Sequence, residues 1–152
     1  MPTSRICVVV DVPAGQLWAR LSHYGSWGEW NEFSAGSAIE GYTDMANVPV
    51  GAVRAVRSLE NPRTRERLVT VDELTRTVQY AVEEQPAWQF PARRYVGTAK
   101  ILPLTDRQGS VIDWSGRYDC DLDQEPFMDK LLTGFYASFV TWLVRACAEE
   151  TP

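Results

Sequence analysis

Val111-Ile112-Asp113-Trp114-Ser115-Gly116-Arg117-Tyr118-Asp119-Cys120 decides the fold. Ile112, Trp114, Gly116 and Tyr118 share one side of an extended chain, and Asp113, Ser115, Arg117 and Asp119 share the other. One apolar and one charged side at period two predict an antiparallel strand with one face covered and one in water. Upstream, across a hairpin turn at Asp106–Gly109, Arg94–Leu104 repeats the pattern, with Tyr95, Gly97, Ala99 and Ile101 together. Thr77–Glu83, Arg65–Leu74 and Ala52–Leu59 read as further strands, the last two joined by a turn at Glu60-Asn61-Pro62-Arg63. Phe33–Glu40 is a weak strand, and the β-branched Arg5–Val10 is the first.

Helical signals lie at two places. Pro13 opens a helix in which Leu17, Trp18 and Leu21 recur at helical spacing, ending near Gly25. A second short helix is expected over Ser26–Asn31, with Ser26 as its cap. Pro126 opens a long helix to about Ala148, with Met128, Leu131, Leu132, Phe135, Phe139, Trp142, Leu143 and Ala146 on one side. This element is long enough to cover the dry face of the sheet. The expectation is one α+β domain over residues 1–152: a curved antiparallel sheet of about seven strands around a long C-terminal helix, with two short helices after the first strand.

The 152 residues are 45% hydrophobic and 23% charged, a globular composition, and carry a formal net charge of -5. An acidic chain without a Lys/Arg cluster is a poor partner for nucleic acid and for anionic membranes. No stretch reads as the roughly 20 apolar residues that span a bilayer, and the N-terminus is too short and too interrupted for a signal peptide. The expected location is the cytoplasm. Cys7, Cys120 and Cys147 show no C-x-x-C spacing and read as small buried hydrophobes. There is no metal-ligand cluster, P-loop or dinucleotide fingerprint, so no metal and no cofactor are expected.

The inward positions pair large residues with very small ones: Tyr95 with Gly97, and Trp114 and Tyr118 with Gly116. Glycine there leaves room, and aromatic rings with polar tips suit the walls of a ligand cavity. An ordinary aromatic core accounts for the same residues.

The order of elements resembles the helix-grip fold of the START-like superfamily, which includes the birch-pollen allergen group. Carrying the resemblance are Val12-Pro13 with Leu17-Trp18 and Leu21, Trp27, Trp30-Asn31, Val50-Gly51-Ala52-Val53-Arg54, Glu66-Arg67-Leu68 with Val71-Asp72, and Ile112 to Tyr118. It is closest to the bacterial polyketide cyclase/dehydrase (SRPBCC) branch. The resemblance implies an internal cavity for a hydrophobic small molecule, and that Arg54 faces inward with Val56. An arginine there can bind a carboxylate, a thioester carbonyl or an enolate. Pairing about the Glu60-Asn61 turn would set Glu66 beside Arg54, either neutralising it or acting as a base. These two are the candidate catalytic residues.

The candidate ligand-binding residues are Trp30, Asn31, Phe33, Val56, Tyr80, Trp88, Phe90, Tyr95, Trp114, Tyr118, Phe135, Phe139 and Trp142. Asn31 equally suits a helix C-cap, and the tyrosines equally suit walls with bonded hydroxyls. His23 reads as a surface residue at a helix end. Loops 41–50 and 86–91 are expected to flank the mouth, with Trp88 and Phe90 as lid residues. The implied function is cyclisation or dehydration of a polyketide-like substrate. The alternative is a carrier, sensor or sequestering protein without chemistry. A monomer or homodimer is expected.

Overall fold

The computed structural model describes residues 1–45, 47–56, 64–84 and 90–149. The chain runs β1 (Thr3–Val10), α1 (Ala14–Leu21), two 3-10 helices (Tyr24–Glu29 and Glu32–Ser34), β2 (Ala38–Ile39), β3 (Val53–Val56), β4 (Thr64–Asp72), β5 (Thr77–Glu84), β6 (Arg93–Pro103) and β7 (Ser110–Asp119), then a 3-10 turn (Leu122–Gln124) and α2 (Glu125–Glu149). The seven strands form one sheet in the order β1-β7-β6-β5-β4-β3-β2, each neighbouring pair antiparallel. After β1 the chain crosses to the far edge and returns strand by strand, so β1 closes on β7 with Thr3 opposite Arg117 and Val10 opposite Ser110.

β7 keeps the expected alternation: Ser110, Ile112, Trp114, Gly116 and Tyr118 are buried. β6 does the same with Tyr95, Gly97, Ala99 and Ile101. α2 packs on β1 and β7 while α1 packs on β6, giving the curved sheet gripping a long helix that the periodicity predicts.

The region after α1 departs from expectation. The second helix is a 3-10 helix that starts earlier, at Tyr24, with His23 at its N-cap and no cap bond from Ser26. Asn31 ends no helix. Its Oδ1 accepts from the Phe33 and Ser34 backbone N–H groups, 2.9 and 3.3 Å, capping the next 3-10 turn. That turn consumes the first half of the expected Phe33–Glu40 strand and leaves only β2. A buried side-chain cap outcompeted weak strand propensity.

α2 is also rotated relative to its expected face. Tyr136, Val140 and Cys147 are buried, while Leu131, Phe135 and Trp142 are half-buried. The segment Leu131–Val144 carries no charge, so polarity does not mark the solvent side. By length and composition this helix could cross a membrane, contrary to the expectation that no segment could; here it packs on the sheet and α1. Cys147 is buried and Cys120 half-buried, but Cys7 faces out from β1, so it is not the buried hydrophobe expected.

Candidate ligand-binding site

β3 and β4 pair with Arg54 directly opposite Glu66. The two are buried, with 1% and 5% of their surface exposed. Arg54 donates from Nε and one terminal nitrogen to Glu66 Oε1, at 3.3 and 3.1 Å, and from the other to the Tyr24 carbonyl at 3.0 Å. Its guanidinium carbon lies 4.1 Å from the Tyr24 ring centroid and 4.7 Å from that of Trp27. Burial opposes the guanidinium charge, yet Tyr24 and Glu66 outweigh it and hold Arg54 charged. The Tyr24 hydroxyl in turn donates to the Glu66 carbonyl, 2.9 Å. Tyr24 and Trp27 carry no signal at strand or helix period, which hid their role; spacing from Trp30 is the clue available in sequence.

The small inward positions are filled rather than open. A Cβ on Gly97 would collide with the Tyr80 ring, and one on Gly116 would collide with the Tyr136 hydroxyl and the Tyr95 ring. The room left by each glycine holds a tyrosine from the neighbouring strand or from α2. This corrects the reading of these glycines as ligand space.

The tyrosines form a polar seam inside the aromatic core. Trp114 Nε1 donates to the Tyr80 hydroxyl at 3.0 Å. The Tyr80 and Tyr95 rings lie 6.2 Å apart between centroids, and Tyr95 bonds closely to Tyr136. Burial, aided by the nearby Glu66 charge, pushes the Tyr80 phenol up to about 12. Burial likewise raises Tyr95 and Tyr136. All three therefore stay protonated at neutral pH and present O–H groups.

The remaining candidates divide by position. Trp114 packs on Tyr136 and Phe139, 6.2 and 5.2 Å between centroids. Phe33 packs on Phe135 and Phe139, 5.4 and 6.2 Å, and Phe90 meets Tyr95 edge-on at 5.5 Å. Val56 is buried on β3. Tyr118 sits at the end of the seam and bonds to Ser4 Oγ, 2.8 Å, which donates to Asp129 Oδ1, 2.8 Å, tying β1 and β7 to α2. Asn31 is occupied as a cap. Trp88 lies outside the described residues, as do the Glu60–Arg63 turn and most of loop 86–91. His23 is exposed, as expected, with Nδ1 2.6 Å from the Ala19 carbonyl.

Strand direction separates the two expected mouth loops. Loop 41–50 leads into the start of β3, whereas the β5–β6 connection leaves from the end of β5; in this antiparallel sheet those are opposite ends. Loop 41–50 instead packs on the first 3-10 helix, where Met45 and Val48 crowd Gly25. Trp30 and Trp142 line a separate surface pocket of about 190 Å³ between the 3-10 helices and the end of α2. Among the described residues no group of three or more His, Cys, Asp or Glu side chains is placed to hold a metal.

The fold is shared with several solved proteins. A Thermobifida fusca protein has a TM-score of 0.81 at 21% identity, covering 99% of this chain and 96% of that one. A Nitrosospira multiformis protein has 0.72 at 23%, covering 95% and 94%. Norcoclaurine synthase of Thalictrum flavum, solved in complex with dopamine and hydroxybenzaldehyde, has 0.74 at 18%, covering 99% and 88%. No curated protein matches the chain. Residues 1–148 match the family described as polyketide cyclase / dehydrase and lipid transport, and with the sheet, helix and inward residues arranged as above, the chain belongs to that family.

Proposed function

We propose that this protein binds a hydrophobic, polyketide-like small molecule between the sheet and α2 and promotes its cyclisation or dehydration, as an enzyme of natural-product biosynthesis. The observation that carries this is the seam of O–H donors. Trp114 N–H and the hydroxyls of Tyr80, Tyr95 and Tyr136 supply four protons to two hydrogen bonds among themselves, so two donors are left over. A carbonyl or enolate oxygen of a ligand is what such donors lack. Protonated phenols in an aromatic, low-dielectric setting stabilise developing oxygen charge without reorganisation. Folding a flexible chain so that an enolate carbon meets a carbonyl supplies the remainder through proximity. In this reading Glu66, fixed by Arg54, is the carboxylate that receives a proton.

The engagement of Arg54 favours a second reading. A guanidinium held by Glu66, a carbonyl and two rings is built as a strut, and a carrier needs nothing more. Turnover of poly-β-ketone thioester analogues separates the two. The enzyme reading expects a product profile distinct from the spontaneous one, and a loss of about tenfold or more in Tyr136→Phe with binding retained. An unaltered profile, together with an unmodified ligand co-purifying in native mass spectrometry, overturns it in favour of the carrier.

A further inference from the structure

The sheet has two edges, and they differ. β2 at one end is two residues long, a short edge that offers little to pair with. β1 at the other end is eight residues long, pairs with β7 without a bulge, and holds no proline. Its backbone parity follows from one bond, in which the Tyr118 N–H donates to the Pro2 carbonyl at 3.3 Å. Bonded pairs alternate along an antiparallel ladder, so the even residues of β1 bond to β7, and the N–H and C=O groups of Thr3, Arg5, Cys7 and Val9 point off the edge. The bond from the Leu104 N–H to the Gly109 carbonyl, 3.0 Å, gives the same parity from the other side, with the odd residues of β7 bonding to β6. The chain leaves β1 away from this edge: α1 packs on β6 and α2, and Trp18 Nε1 donates to Glu73, between β4 and β5, at 2.6 Å. The inward side of β1 is also thinly covered. Ile6, Val8 and Val10 are half-buried, whereas their partners Trp114, Ile112 and Ser110 are 0% exposed.

We propose that a second copy of this chain covers the edge, its β1 pairing antiparallel with this one about a two-fold axis at Val8. That register sets Val8 opposite Val8, Ile6 opposite Val10 and Cys7 opposite Val9, apolar on apolar, and Arg5 opposite Asp11 at both ends. An axis at Cys7 or at Val9 sets Arg5 against Val9 or Pro13 instead. Arg5 is already held along the sheet: Nε and one terminal nitrogen donate to Asp113 at 2.8 and 2.6 Å, and the other terminal nitrogen has no partner among the described residues. α2 leaves room for the second copy. It runs along β1, with Ser4 donating to Asp129 near one end and Cys147 Sγ lying 3.7 Å from the Gln16 carbonyl near the other. From Ser4 to Val8 the strand advances about 13 Å, or about nine residues of helix, so the axis lies level with Ser138. The exposed residues around that level, Gly134, Ala137 and Thr141, are small and uncharged, and oppose a neighbouring α2 with neither charge nor bulk. The interface is isologous and extends the sheet through both copies. It stands whether or not the interior seam is catalytic.

Sedimentation velocity of the full chain under reducing conditions, from micromolar to submillimolar concentration, is expected to show a monomer–dimer equilibrium. Asp11→Arg sets arginine against arginine at both ends and should weaken the dimer about tenfold, with the far-UV spectrum of the monomer unchanged. Cys7→Pro removes an N–H that a partner strand alone would use, and should abolish the dimer while leaving the β1–β7 bonds in place. The register is read by oxidation. In Val9→Cys the introduced thiol faces Cys7 of the other copy, about 5.5 Å away between Cα atoms, and a disulfide between positions 7 and 9 should lock the dimer and be found by peptide mapping. In the wild type the two Cys7 residues stand about 7–8 Å apart on the diagonal and should not cross-link. A chain that stays monomeric throughout the range, a dimer unchanged by Asp11→Arg or by Cys7→Pro, or a wild-type disulfide joining the two Cys7 residues overturns the proposal.

Discussion

Glu66 and Arg67 are consecutive residues of β4, and each holds an ion pair across to a neighbouring strand. Glu66 points inward to Arg54, in side chains 7% and 1% exposed. Arg67 points outward to Glu83, in side chains 42% and 32% exposed, and also reaches the Gly51 carbonyl at 2.5 Å. The charges are the same in kind; the solvent differs. Inside, each charge has lost its water and depends on its partner, so the pair is worth little as a gain and much as a loss. Outside, water and salt replace whatever the partner provides.

Breaking the inner pair should have the largest effect. Arg54→Ala strands a buried carboxylate and removes the filling between Tyr24 and Trp27, and should cost about 3–5 kcal/mol in urea unfolding. Replacing both partners with apolar residues should restore much of that loss, since no orphan charge remains. A double variant as unstable as Arg54→Ala would show that packing, not charge, sets the cost.

Alkaline pH attacks the same face through its phenols. Each has a folded pKa above its unfolded value near 10.0, Tyr80 reaching about 12. A raised folded pKa contributes stability that is complete below about pH 10 and is lost as the pH climbs through the folded value. Stability should therefore hold from neutrality to about pH 10 and then fall, with the phenolate absorbance of the buried tyrosines, read in a Tyr42→Phe background, appearing together with unfolding. Ionisation of Tyr80, Tyr95 or Tyr136 well before unfolding would mean that the seam is open to water.

Gly116→Ala tests whether the inner face is full. The added methyl meets the Tyr136 hydroxyl and the Tyr95 ring, and should destabilise by about 1–3 kcal/mol through overpacking. A neutral result would restore these glycines as spare volume. The smallest effect belongs to the outer pair: Arg67→Ala should change stability by under about 1 kcal/mol, and added salt should erase even that.

The sheet was legible because each late strand has one wet side, as Asp113, Ser115 and Arg117 show on β7. The Arg54–Glu66 pairing was legible because strand parity and one turn suffice to place two residues opposite each other. The glycines were misread for a physical reason. Sequence shows a missing side chain but not what enters the gap, and Tyr136 enters from a helix whose buried face polarity does not mark. The segment from Ser26 to Glu40 was misread because 3-10 turns and a side-chain cap leave no periodicity. The surface pocket at the end of α2 joins Trp30 to Trp142, residues legible as aromatic but brought together by tertiary packing alone.

The pairing of β1 with β7 has a consequence for the chain as it is made. The sheet partner of Val10 is Ser110, one hundred residues later. At roughly 5–20 residues per second of synthesis, β1 waits about 5–20 seconds before its partner exists. Through that interval Ile6 to Val10, an apolar β-branched run, is an unpaired strand open to any other chain. Every nascent copy therefore passes through a window in which its first strand must be shielded, and slowing translation past β6 should raise aggregation without changing the stability of the finished fold.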